Sequence, residues 1–176
     1  MKRKLLLFVS AVLLLAVPAM VFAGSDGWDS VYDGGDFIIS ASVGAYFPFV
    51  LAISRQVELI IAQVKIGEIM PLDFGVAARD EITLGSTLRF GAGGLATAHL
   101  TFANLHGTVV PWLENFDFFV SLGIGVSIWP DSSVPINLRF ITVEGLGYWL
   151  SDAFGLKIET SYWNYYGTSI GVMLRL

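Results

Sequence analysis

Phe154-Gly155-Leu156-Lys157-Ile158-Glu159-Thr160-Ser161-Tyr162 and Thr168-Ser169-Ile170-Gly171-Val172-Met173-Leu174-Arg175-Leu176 are the last two patterned segments of the sequence. In the first, Phe154, Leu156, Ile158, Thr160 and Tyr162 alternate with Gly155, Lys157, Glu159 and Ser161. In the second, Ile170, Val172, Leu174 and Leu176 alternate with Ser169, Gly171, Met173 and Arg175. Strand side chains point to opposite faces with period two, so each segment has one apolar and one polar face. A chain that ends inside a strand needs a partner for that edge, and its own first strand is the simplest one. The expectation is a closed barrel.

The same alternation recurs upstream. It predicts strands over Phe37–Pro48, Leu72–Arg79, Ser86–Phe102, Phe116–Trp129 and Pro135–Trp149. Leu59–Glu68 reads as a further strand, although Val57, Ile60, Ile61 and Val64 also fit a helical stripe. Asn104–Asn115, with Gly107 and Pro111, is a connection. In the Pro135–Trp149 segment, Arg139 and Glu144 fall on opposite parities, so a bulge near Thr142 is expected to bring Glu144 inside.

Met1–Lys4 carries three positive charges, an apolar stretch runs from Leu5 to Val17, and Val21-Phe22-Ala23 precedes a cleavage point. Residues 1–23 therefore read as a secretory signal peptide, with an anchoring helix as the alternative, since the apolar run approaches the ~20 residues of a span. Residues 24–36 read as a flexible acidic arm and 37–176 as the barrel domain. Without Lys2, Arg3 and Lys4 the charge is 7 basic against 15 acidic residues, or −8. That balance disfavours nucleic acid, which requires clustered Lys and Arg. The absence of cysteine removes disulfides and thiolate chemistry.

Two barrels fit this pattern: a soluble periplasmic, lipocalin-like one with an apolar ligand inside, and a membrane barrel facing the other way. The polar parity is mostly Gly, Ser, Thr and Ala with scattered charges, including Lys65, Asp73 and Arg79. Water-facing surfaces are denser in charge, whereas small residues with paired charges suit a crowded lumen. The reading is therefore an all-β, closed, antiparallel up-and-down transmembrane barrel of about eight strands. Its aromatic girdles would include Phe47, Trp129, Tyr148, Tyr162 and Trp163. A lumen of this size is just filled by side chains, which argues against a wide porin.

With its leader, the hairpin Tyr148–Leu156 and the alternating terminal strand, the chain resembles the small outer-membrane barrels of the OmpA-barrel, OmpX and OmpW type. The resemblance implies periplasmic termini, with Leu150–Ala153 in the periplasm and Trp163–Gly167 outside. It also implies outer-membrane lipids and the barrel assembly machinery as partners. The chain departs from that pattern at Leu176, where such barrels usually end in an aromatic, and in the long Asn104–Asn115 connection.

The candidate site is a lumen charge network of Arg89, Arg139, Glu144, Lys157, Glu159 and Arg175. It is expected to plug the barrel or, in the sharper form, to pass small solutes or ions when its pairs exchange. Gly91-Ala92-Gly93-Gly94-Leu95-Ala96 matches a dinucleotide fingerprint but sits within a strand pattern, where glycines relieve crowding. His99 and His106 lack the spacing of a metal or nucleophile site. The sequence thus assigns no catalytic residue, no metal and no cofactor, and suggests a monomer.

Overall fold

Strands form where small or polar residues alternate with apolar ones, and this rule holds over most of the chain. The computed structural model describes residues 30–47, 50–66, 70–85, 88–101, 111–130, 133, 135–163 and 166–176. Its strands are β1 Phe37–Tyr46, β2 Val50–Ile66, β3 Met70–Leu84, β4 Leu88–Thr101, β5 Phe116–Ile128, β6 Ile136–Trp149, β7 Phe154–Tyr162 and β8 Tyr166–Arg175. Each pairs antiparallel with its neighbour, and β1 pairs with β8 from Ile38↔Arg175 to Tyr46↔Gly167, closing the barrel. The first and last strands are thus the closing partners. A 3₁₀ turn, Pro111–Asn115, leads into β5. The signal peptide, the first part of the acidic arm and His106 lie outside the described residues.

The apolar parity points outward. Leu138 is 74% exposed, Ile124 63% and Ile170 62%. A barrel holding an apolar ligand would need these side chains inside, so the lipocalin-like alternative does not fit. Outward aromatics mark both rims. Phe37, Phe116, Tyr148 and Phe154 lie at the end carrying Arg175, and Phe47, Phe90, Tyr162 and Tyr166 at the far end. Two expected girdle residues turn inward instead. Trp163 is buried against Ala77, Leu95, Phe119, Ile141 and Val143, and Trp129 shares the inward parity of Ser127.

Three strand expectations require correction. β2 begins at Val50 rather than near Leu59, and it is a strand throughout, not a helix. β3 continues past Arg79 to Leu84. β6 contains no bulge, because its pairing with β5 runs unbroken from Ile128↔Ile136 to Phe116↔Tyr148. Glu144 consequently faces outward, where Thr160 Oγ1 (3.1 Å) and Tyr166 Oη (3.5 Å) donate to it. A register shift lies instead in β2, between Ile60 and Ala62.

The acidic arm also differs from expectation over residues 30–36. Tyr32 is 2% exposed and packs with Ile38, Ile60, Trp149 and Met173 inside the barrel mouth. The turn that admits it uses Gly35 at φ +103°, a left-handed backbone that side chains disfavour. Gly35 N–H then donates to Ile60 O (2.8 Å), and Ile60 N–H donates to Asp36 O (2.9 Å).

The lumen as candidate functional site

Inward positions of every strand contribute to a polar column along the barrel axis. At the mouth, Tyr32 Oη donates to Asp117 Oδ2 (2.6 Å), and Trp149 Nε1 donates to Tyr32 Oη (3.3 Å). Burial, followed by the neighbouring Asp117 carboxylate, pushes the Tyr32 phenol well above its ordinary value of 10. Ser30 Oγ donates to Asp73 and bonds Thr101 Oγ1 (2.9 Å). The arm is thus fastened by side chains from β3, β4, β5 and β6.

Above it lies His99, placed by the inward parity of β4. Its Nδ1 is 3.0 Å from Asp117 Oδ1 and its Nε2 is 2.8 Å from Glu58 Oε1. Each ring nitrogen is thus held by a carboxyl group, Asp117 from the adjacent β5 and Glu58 from β2. Gln56 Nε2 (3.1 Å) and Thr97 Oγ1 donate to Glu58 as well. Between Glu58, His99, Asp117 and Lys157 the remaining cavity is about 10 Å³, at the lower limit for one water molecule.

The next level is built on Glu159. Arg79 Nη2 (2.6 Å) approaches from β3, and Lys157 Nζ (2.7 Å) from Glu159's own strand, β7, one inward position away. Ser169 Oγ also donates (3.1 Å). Ser54 Oγ accepts from Arg79 (2.9 Å), and Ser40 Oγ accepts from Lys157 (2.9 Å). All three charged residues are buried, so the cluster holds two cations on one carboxylate away from water. Such a group persists only because each charge has close partners. Further out, Tyr46 Oη donates to Glu81 (2.5 Å) and meets Ser161 Oγ (2.7 Å).

The sequence-derived network is therefore only partly assembled. Lys157 and Glu159 join, but Glu159 also takes Arg79, which had been read merely as polar parity. Arg175 sits at the mouth, where it donates to Val31 O and Asp152 O (2.7 Å) and lies 3.7 Å from Asp36. Arg89 and Arg139 lie at the far end, 4.1 and 5.7 Å from the Trp129 ring. Glu144 is outside. Glu58, Glu81 and Asp117 were missed, although inward parity within a correctly bounded β2 and β3 would have found Glu58 and Glu81. The glycine reading of the β4 stretch holds for Gly91 and Gly93 but not for Gly94, which faces outward with room for a side chain. A Cβ on Gly91 would lie 2.8 Å from the Trp163 ring, and one on Gly93 2.4 Å from Ile141 Cδ1.

A closed eight-stranded barrel with an apolar outer wall and a packed polar lumen defines the class of small transmembrane barrels. No family model matches the sequence, and no curated protein does. In structure the chain is similar to the N-terminal β-barrel domain of Pseudomonas aeruginosa OprF, with a TM-score of 0.60, 12% identity and coverage of 81% of this chain and 98% of that one. It is also similar to the outer membrane enzyme PagL, with a TM-score of 0.56, 14% identity and coverage of 79% and 98%. At these identities the shared property is the fold.

Proposed function

We propose that this protein is exported by its leader and inserted in the outer membrane as a structural barrel, closed along its axis by its own side chains. The observation that carries the reading is the cluster of Arg79, Glu159 and Lys157 across the lumen, with a cavity of about 10 Å³ beside it. An open pore needs a continuous wet path. Here charged and polar side chains bond across the lumen, apolar ones such as Ile141 and Val143 pack between them, and the arm with Tyr32 occupies the mouth. The outward parity supports lipid as its surroundings. The solved barrels of like fold are, by their descriptions, a Pseudomonas aeruginosa OprF domain and an outer membrane enzyme. On this reading the mouth carrying Arg175 faces the periplasm, and outer-membrane lipids and the barrel assembly machinery are its partners.

His99 itself fits a structural role on this reading. Both of its ring nitrogens are engaged by carboxylates inside the lumen, so neither is available to activate a hydroxyl. The test is fractionation of cells expressing the full chain, with gel mobility compared before and after boiling. The expected result is an outer-membrane protein with heat-modifiable mobility. Release into the soluble periplasmic fraction without detergent would overturn the reading.

A further inference from the structure

Arg55 and Asp80 form a bidentate pair on the outside of the barrel. Arg55 Nε is 2.9 Å from Asp80 Oδ1, and its Nη2 is 2.8 Å from Asp80 Oδ2. They are cross-strand neighbours of β2 and β3 and share the outward parity of Ile53, Val57 and Ile82. The pair is not at a rim. Arg55 is opposite Ala41, the fifth of ten residues in β1, and Asp80 is opposite Ala92 within β4. Outward aromatics bound the wall above and below. Even when paired, the side chains are 67% and 42% exposed. Facing lipid, they would place two charges where charged residues are strongly disfavoured.

Ile53 and Val57 flank the pair on β2, but toward β4 the wall is low, because Ala78, Ala92, Gly94 and Ala96 present almost no side chain there, whereas β5 to β8 present Leu122, Ile124, Phe140, Ile158 and Ile170. Small residues let two walls approach closely in a membrane.

We propose that this wall is the interface of a homodimer in the membrane, the occupant being a second copy of the same chain. The two charges lie side by side on adjacent strands at nearly one level. A two-fold axis along the membrane normal, passing between them, sets Arg55 against the partner's Asp80 and Asp80 against the partner's Arg55. Each charge then meets an opposite one both within its own chain and across the interface, and all four leave the lipid. Glu144, on the other side of the barrel, offers no such two-fold pairing, because its register neighbours are Val120 and Thr160 rather than a residue of opposite charge. The inference departs from the monomer suggested by the sequence, and it rests on the membrane reading above.

The chain has no cysteine, so one introduced thiol reports one position. Ala78→Cys and Ile158→Cys would be folded separately into phosphatidylcholine vesicles, with folding checked by heat-modifiable mobility and then oxidation by a membrane-permeant catalyst. Disulfide-linked dimer is expected from Ala78→Cys and not from Ile158→Cys. Adding Arg55→Asp to Ala78→Cys should abolish the dimer by opposing like charges, and adding Asp80→Arg as well should restore it. Folded barrels that yield no dimer, equal yields from both walls, or no recovery in the charge-swapped chain would overturn the interface while leaving the membrane reading intact. Failure of every variant and of the unaltered chain to enter vesicles would overturn both.

Discussion

Arg79 and Asp80 are consecutive in β3 and meet opposite surroundings. Arg79 points into the lumen, where it is buried and Glu159 and Ser54 bond it. Asp80 points outward and meets one partner, Arg55, on an otherwise apolar wall. Two charges one residue apart are each paired, but for different reasons. The inward pair is enclosed by its own fold and holds distant strands together across the axis. The outward pair joins strands that the backbone already joins, so its charge does little for the barrel's own stability. The inward charges thus serve the fold, and the Arg55–Asp80 pair is the one that the proposed interface would use.

The largest expected effect comes from breaking the inward set. Glu159→Ala leaves Arg79 and Lys157 buried with no carboxylate between them, and should cost about 3–5 kcal/mol in urea unfolding from vesicles. A cost comparable to an exposed pair, below about 1 kcal/mol, would erase the contrast. Gly167→Ala comes next. Its Cβ would fall 1.3 Å from Cδ1 of the buried Tyr46 ring, which is tied to Glu81 and Ser161. Overpacking there should cost at least about 1–3 kcal/mol by the same measurement.

Tyr32→Phe should cost about 1 kcal/mol, because it removes the hydrogen bond to Asp117 from the mouth. Tyr32 also has a pH signature. Its phenol is raised above 10 in the folded chain, so its contribution is fully present below pH 10 and is lost as the pH rises beyond it. In ultraviolet titration of the folded protein, the number of late-ionising tyrosines should fall by one on Tyr32→Phe, a difference that disappears in denaturant. The smallest effect on folding, below about 1 kcal/mol, is expected from joint Arg55→Leu and Asp80→Leu, since an ion pair replaced as a unit by apolar groups is often neutral or better.

The closed barrel was legible because most strands obey one parity rule with few exceptions. The last two strands, β7 and β8, obey it closely, with Met173 inward and Thr160 and Thr168 outward as the exceptions, and the inward Lys157 and Glu159 followed directly. Each error in strand bounds or register has an outward charge beside it. Arg55 sits on the apolar parity of β2 and hid the strand's first half. Asp80 did the same to β3 and ended it early. Glu144 prompted a bulge that β6 does not contain. Alternation treats any charge as an inward or solvent-facing residue, so it fails where a charge faces the membrane. The lumen network was legible only in part for another reason. Arg79 meets Glu159 from a strand far away in sequence, and parity says which face a residue takes but not which residues meet across the axis. Tyr32 was missed because the Gly- and Asp-rich composition of the arm says nothing of one aromatic anchored inside.

The central claim is that the lumen is closed by bonded side chains, and single-channel recording tests it most directly. Purified, heat-modifiable protein added to planar bilayers should produce no conductance steps, whereas Glu159→Ala, if it folds, should produce small and unstable ones. A steady, ohmic conductance from the unaltered chain would contradict the account.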